Sequence, residues 1–393
     1  MTSRWTRKLA GLAAGVALGA LATSAALAQD IKIGMVVTLS GPPAALGQQI
    51  VDGFQLALDQ NDGKLGGQAV QLIVEDDELK PDVALLKARS LLEREHVDFV
   101  VGTVFSNMLQ AIFKPVVQSK TFLISPNAGP STFAGRNCNP YFFVTSYQNN
   151  QPAEVSGMIA NEEGFENVIA MVPNYQAGRD NVQGFKQTLK GKLVDEMFTP
   201  LGHQDFSPEL ARIATSGADA LFTFMPGGMG VRLVKQFDAA GLSDKLKFLS
   251  VFTTDESTLP GQQDAALGFL SAGSWAPDMK SETNTAFVSA FEEKYGYVPG
   301  SFAAQSYDAA MLIGSALKKT GGNTQDKDAM RKALEAADFT SVRGSFSFSN
   351  NHYPIQDFHM LKVAKRDDGK YWTTTVRTVV KDYEDSFHQD CKM

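Results

Sequence analysis

The chain predicts an α/β protein of two lobes, each a parallel β-sheet flanked by helices. Three observations lead there. Short apolar runs of strand length alternate with amphipathic helical segments from residue 31 to about residue 145. The alternation restarts after Ser146-Tyr147-Gln148-Asn149-Asn150. Two loops, Gly102-Thr103-Val104-Phe105-Ser106-Asn107 and Ile124-Ser125-Pro126-Asn127-Ala128-Gly129, follow consecutive strand-like runs. Strands separated by helices imply right-handed crossovers and a sheet covered on both faces. Ligands of such sheets sit outside the carboxyl ends of the strands, where backbone N–H groups and small hydroxyls converge. A Ser and a Gly/Asn-rich turn there can hold a carboxylate without lysine or arginine.

Residues 1–28 are set apart from the fold. Arg4, Arg7 and Lys8 form a basic segment, Leu9 to Ala22 is small and apolar, and Ala26-Leu27-Ala28 has the form of a cleavage site. A signal peptide is predicted, with the mature chain beginning at Gln29 in the periplasm. The apolar run is too short and too rich in Ala and Gly to anchor in a membrane.

The first strand is Ile31 to Val37, ending in Thr38-Leu39-Ser40-Gly41. Ile50, Val51, Phe54, Ala57 and Leu58 then share a helical face, and Asp62-Gly63 stops it. Val70 to Val74 is the second strand, running into Glu75-Asp76-Asp77, and Pro81 opens a helix carrying Leu85, Ala88 and Leu92 inward. Val97 to Val101 and Thr121 to Leu123 supply the strands before the paired loops. In the second half, helices are expected at 153–163 and 178–190. Strands are expected at 167–172 and near 193–198, 219–224 and 246–252, with helices between them. Helices follow at 281–295, 303–318 and 326–337. Phe346 to Phe348, Asp357 to Val363 and Tyr371 to Arg377 alternate like antiparallel strands, with a hairpin turn at Asp367-Asp368-Gly369.

Composition narrows the function. With 43 acidic against 36 basic residues the net charge is −7, and no basic stripe marks a nucleic-acid or anionic-membrane partner. Cys138 and Cys391 are the two cysteines. In an oxidising compartment they most simply form one disulfide tying the C-terminal tail to the body. Neither a nucleophile elbow nor a phosphate loop is present. The five histidines, at 96, 203, 352, 359 and 388, lack metal-ligand spacing and read as surface or loop residues. Gly228-Met229-Gly230-Val231-Arg232-Leu233 has a superficial dinucleotide-loop pattern, but Pro226-Gly227 interrupts the turn, so it reads as a cleft loop. Asp76-Asp77 reads as a pair of surface carboxylates. No enzyme, cofactor or metal centre is expected.

An ordered set of short motifs carries a family resemblance. Ile31 to Gly47, Gly66-Gly67 before the strand into Asp76-Asp77, the Gly102 to Asn107 loop, Ile124-Ser125-Pro126, Asp205-Phe206-Ser207 and Ser306-Tyr307-Asp308-Ala309 fall in matching order. With the signal peptide, this resembles the leucine/isoleucine/valine-binding proteins, type I periplasmic binding proteins that serve ABC importers. The resemblance implies two lobes joined by a three-strand hinge, with crossovers near residues 145, 273 and 354, and ligand held between them by hinge closure. Lobe 1 would be 29–145 plus 274–354, and lobe 2 would be 146–273 plus 355–393. The implied partners are a small carboxylate and an inner-membrane permease, the chain acting as a monomer. A ligand sensor of the same fold is the alternative.

Against that family, the departures bear on the ligand. Ser106 keeps the hydroxyl offered to a carboxylate. The position of a ligating Thr falls at Gly129, close to Asn127 and Ala128. The second-lobe carboxylate that pairs with an ammonium becomes Phe252, and a first-lobe tyrosine becomes Leu46. An ammonium sealed in a cleft without its carboxylate costs several kcal/mol. The implied ligand is therefore an aromatic or apolar carboxylic acid, otherwise a branched-chain amino acid. Phe105, Tyr147, Tyr175 and Phe252 are the candidate aromatic contacts. The run Asn351 to Phe358 and the ending Cys391-Lys392-Met393 also resemble binders of benzoate- and cinnamate-type acids.

Overall fold

The computed structural model describes residues 30–393, so the expected signal peptide lies outside the described residues. The chain begins with β1 (Ile31–Val37), α1 (Ala44–Asp59), β2 (Lys64–Leu65), β3 (Gln68–Asp76) and α2 (Pro81–Ser90). It continues through β4 (Phe99–Gly102), α3 (Ser106–Gln118), β5 (Phe122–Ser125) and β6 (Phe142–Val144). These strands form one sheet in the order β2-β3-β1-β4-β5-β6, parallel except for the short β2–β3 ladder. Its centre is apolar on both faces because helices cover both; Ile33, Met35, Val36, Val100 and Leu123 have no exposed surface. Gly102 ends β4 with φ of +144°, and a Cβ there would lie 2.2 Å from the Val36 carbonyl oxygen. Only glycine lets β4 leave the sheet so close to β1.

The second half runs α4 (Asn150–Glu162), β7 (Asn167–Pro173), α5 (Gln176–Thr188), β8 (Lys192–Thr199), α6 (Ser207–Ala214) and β9 (Ala220–Thr223). It goes on through α7 (Gly228–Ala239), β10 (Lys247–Ser250), α8 (Leu259–Gln262) and β11 (Leu270–Gly273). Then come α9 (Glu282–Tyr295), α10 (Ser301–Thr320), α11 (Lys327–Glu335), β12 (Ser347–Phe348), β13 (Pro354–Lys365) and β14 (Tyr371–Tyr383). The second sheet orders as β12-β13-β11-β10-β9-β7-β8, with β14 paired to β13. Strands β7 to β11 are parallel, and β13, β14 and β12 add antiparallel edges. The chain passes to the second sheet after Val144, leaves it after Gly273, and returns at β12 and β13. In between, α10 packs along α1 of the first lobe.

Where the chain passes between lobes, a buried ion pair holds the segments together. Arg343 Nε donates to Asp308 Oδ2 at 3.0 Å, and both side chains are fully buried. The Arg343 Nη1 donates to the Ser146 carbonyl at 3.0 Å and to Gln356 Oε1 at 2.7 Å. The arginine thus ties α10 to two of the connecting segments at once. The cysteines form the expected disulfide across 253 residues, fixing Cys391 of the tail to Cys138 beside the first sheet.

Three local expectations are corrected. Gly228 to Leu233 is the start of α7, not a loop; only Pro226 and Gly227 precede the helix, and Gly227 takes the left-handed turn with φ of +65°. Asp77 is buried rather than a surface carboxylate, accepting from Thr38 Oγ1 at 2.7 Å and the Leu79 N–H at 2.9 Å. It fixes the turn after β1. His352 and His359 are buried too. The His352 ring stacks on Phe143, while its Nδ1 lies 3.0 Å from the Phe142 carbonyl. For Asp77 and His352 the partners, Thr38 and the Phe142 carbonyl, come from segments distant in sequence.

Candidate functional site

At the carboxyl ends of β4, β5, β7, β9 and β10 the two lobes close on a small cavity of about 10 Å3. Its wall is Leu46, Val104, Phe105, Asn127, Tyr147, Tyr175, Phe224, Pro226, Phe252 and Phe302. No charged side chain is among them. Each wall element is placed by a helix start or a strand end. Phe105 and Tyr175 are the N-cap residues of α3 and α5, Pro226 sits just before the N-cap of α7, and Leu46 and Phe302 lie in the first turns of α1 and α10. Five helices therefore begin at this wall. First-turn N–H groups have no acceptor within their own helix, and the helix dipole adds positive potential there. The cavity combines apolar surface with an anion-favouring field and contains no cation.

Aromatic rings build the walls pairwise. Tyr147 and Phe252 stack with centroids 4.8 Å apart and planes at 20°. Phe252 meets Phe302 edge-on at 5.9 Å. Phe105 and Tyr175 approach across the cleft at 6.0 Å, and Tyr175 stacks on Phe224 at 6.2 Å. Burial, with Tyr175 and Asp255 nearby, pushes the Tyr147 phenol well up; burial and then Asp180 do the same to Tyr175. Both stay neutral hydroxyls near pH 7. Tyr147 donates to Asn127 Oδ1 at 3.0 Å, and Asn127 Nδ2 donates to the Val104 carbonyl at 2.5 Å. Asn127 thereby pins the two first-lobe loops together. The Tyr175 hydroxyl has no hydrogen-bond partner among the described residues.

Of the nine residues singled out from sequence, Leu46, Phe105, Asn127, Tyr147, Tyr175 and Phe252 line the cavity. Ser106, Ala128 and Gly129 are buried immediately behind it; the Ala128 and Gly129 N–H groups are engaged, whereas the Ser106 hydroxyl accepts one bond and keeps its own hydrogen to donate. Ser106 is the first residue of α3 rather than its cap, and its Oγ accepts from Asn149 Nδ2 at 3.2 Å. The Ala128 N–H donates to the Thr103 carbonyl at 3.3 Å, and the Gly129 N–H to Asn149 Oδ1 at 3.2 Å. A Cβ at Gly129 would lie 1.8 Å from the Tyr147 carbonyl oxygen, so a threonine does not fit this loop. Val104, Phe224, Pro226 and Phe302 complete the wall. Phe224 and Pro226 had a usable signal, since they follow β9 at its carboxyl end. Phe302 had none, because only the packing of α10 across the cleft brings it there. A larger groove lined by Lys280, Glu282, Glu292, Arg366 and Asp368 is open to solvent and shares no residue with this wall.

The carboxylates nearest the cleft are occupied elsewhere. Asp255 Oδ2 accepts from the Ser301 N–H at 3.1 Å, at the start of α10, and its Oδ1 from the Ser257 N–H at 2.9 Å. Asp180 faces Ser131 and Asn149. Neither lines the cavity.

Comparison with known proteins agrees with this architecture. Residues 30–370 match the family described as periplasmic binding protein. The chain is 29% identical to Leu/Ile/Val-binding protein homolog 6 of Brucella melitensis, over 93% of this chain and 96% of that one. It superposes with a TM-score of 0.88 on an ABC-transporter solute-binding protein from R. palustris solved in complex with benzoate, at 29% identity over 93% of this chain and 100% of that one. A solute-binding protein from Rhodopseudomonas palustris BisB5, in complex with 3,4-dihydroxybenzoic acid, gives 0.82 at 30% identity, covering 90% and 98%. Two lobes of this topology, a closed cleft between them and full-length similarity converge on one assignment: the chain belongs to the periplasmic binding protein family, as a solute-binding protein of the ABC-transporter type.

Proposed function

We propose that this protein captures a small aromatic carboxylic acid between its lobes and delivers it to a membrane permease. One observation carries the reading: an apolar, aromatic wall without a charged side chain, at which five helices begin. An amino acid would bury its ammonium with Phe252 where a carboxylate is needed, at a cost of several kcal/mol. A carboxylate finds instead the helix N-terminal field, with the Tyr175 and Ser106 hydroxyls as donors. The complexes of the R. palustris relatives with benzoate and 3,4-dihydroxybenzoic acid support the same class.

In this mechanism the acid docks on the first-lobe loops, and the second lobe brings Tyr175, Phe224 and Phe252 over its ring. The permease then recognises the closed form, so binding energy is expressed as closure. A thermal-shift panel tests the reading on the protein freed of ligand. Benzoate, 4-hydroxybenzoate and coumarate are set against leucine, valine and phenylalanine. A ligand present at about 100 times its Kd adds about 2.7 kcal/mol to native stability. Shifts with the aromatic acids alone are expected. Shifts with the amino acids alone overturn the assignment of an ammonium-free site.

A further inference from the structure

We propose that Asp180 is the closure latch of this protein, a positioning residue that couples the second lobe to the ligand loop of the first. The inference rests on the cleft being the ligand site described above. Asp180 lies on α5 of the second lobe and is 1% exposed. Its Oδ2 accepts from the Ser131 N–H at 3.1 Å and from Asn149 Nδ2 at 2.9 Å. Its Oδ1 accepts from Ser131 Oγ at 2.6 Å and from Gln176 Nε2, one helical turn earlier, at 2.8 Å. Ser131 belongs to the first lobe, in the turn after the Asn127 to Gly129 loop. Asn149 belongs to the segment joining the lobes.

The relay continues toward the ligand. The same Asn149 amide nitrogen that serves Asp180 also donates to Ser106 Oγ at 3.2 Å, and its Oδ1 accepts from the Gly129 N–H at 3.2 Å. Every polar group of that amide is in use, and each bond fixes a part of the ligand loops. Asp180 has no cationic partner among the described residues. A carboxylate buried without a countercharge is stable only while its acceptor positions are filled. Here two of the four donors come from Ser131 alone. Parting the lobes removes both together and returns the carboxylate to water. Partial closure would strand it, so the contact favours fully shut or open over anything between. An apolar contact at the same place would tolerate a range of gaps.

The latch forms after ligand has docked, so its loss acts on the dissociation rate and not on association. The test uses Asp180→Ala and the milder Ser131→Ala in the full-length mature protein, with 4-hydroxybenzoate as probe. Stopped-flow binding should show dissociation faster by ~10-fold or more for Asp180→Ala and by less for Ser131→Ala, with association unchanged. Amide exchange of a peptide spanning Ser131 should slow on adding the probe in the wild type and fail to slow in Asp180→Ala. The unliganded melting temperature should stay put, which separates a latch from a merely structural residue. Unchanged dissociation, or an equal loss of stability with and without the probe, overturns the proposal. If the wild type ignores 4-hydroxybenzoate but binds leucine, the ligand reading falls and the latch is judged with leucine by the same dissociation and exchange readouts. Equal dissociation in wild type and Asp180→Ala then overturns it.

Discussion

Replacing Phe252 separates its contribution to binding from its cost to the backbone. The residue sits at φ of +51°, a conformation rare for a bulky side chain. Its loop is held there by neighbours: Thr253 Oγ1 accepts from the Met225 N–H at 2.8 Å, and the Thr253 carbonyl accepts from Thr258 Oγ1 at 3.0 Å and Gln262 Nε2 at 2.7 Å. The ring closes the cavity between Tyr147 and Phe302. Truncation uncovers roughly 40 Å2 of a ligand ring, about 1 kcal/mol at ~25 cal/mol per Å2. It also forfeits aromatic contacts of ~0.5–1.5 kcal/mol. The sum, ~1.5–2.5 kcal/mol, is a loss of affinity of ~10- to 70-fold. Phe252→Ala and Phe252→Gly should share that loss in titration calorimetry with benzoate. They should differ in unliganded stability, because glycine escapes a left-handed penalty of ~1–2 kcal/mol that alanine still carries. Phe252→Gly should therefore melt higher than Phe252→Ala while binding no better. An affinity within about threefold of wild type in both variants would place the ligand outside this cavity and refute the reasoning.

Three further outcomes are expected. Ser106→Ala should weaken binding of an aromatic acid by ~1–3 kcal/mol, through the lost hydroxyl and the released Asn149 amide; calorimetry showing unchanged affinity removes Ser106 from the site. Burial, and then the neighbouring Asp255, pushes the Glu256 carboxyl up to about 8 from its usual 4.5. The neutral acid stabilises the fold fully below the unfolded value, and this contribution is lost as pH rises through the folded one. Stability should thus decline between about pH 5 and pH 8 in the wild type and decline less in Glu256→Gln, where the amide oxygen still accepts from Thr373. Parallel melting curves across that range count against it. Replacing Cys138 and Cys391 together by Ser opens a link across 253 residues and should lower stability in urea by ~2–4 kcal/mol. An unmoved midpoint would show that the tail's contacts with Asn350 and Asn351 hold it without the bond.

Local signals carried much of this architecture. The run Ile31 to Val37, the Pro81 helix start, the Asp367-Asp368-Gly369 turn and the restart near residue 150 all reappear as elements. They are legible because periodicity and turn chemistry act within a few residues. Parts of the site were legible for a related reason. Phe105, Asn127 and Tyr175 follow strand ends in the chain, and a parallel sheet gathers its strand ends on one side.

What escaped the sequence depends on contacts across long separations. Ala128 and Gly129 stand in the right loop, yet their N–H groups are taken by Thr103 and Asn149. Gly228 looked like loop material, and the surrounding packing made it the first residue of a helix. Asp77 and His352 are polar residues whose burial became acceptable only where Thr38 and the Phe142 carbonyl came to meet them. The amino-acid sequence by itself determined two α/β lobes, the loops that face each other and the one pair of cysteines available for a disulfide. The tertiary structure alone decided that Phe302 completes the cavity and that the Asp180 carboxylate rests on Ser131. Those meetings depend on how two lobes close on each other, and no short-range preference of the chain encodes that distance.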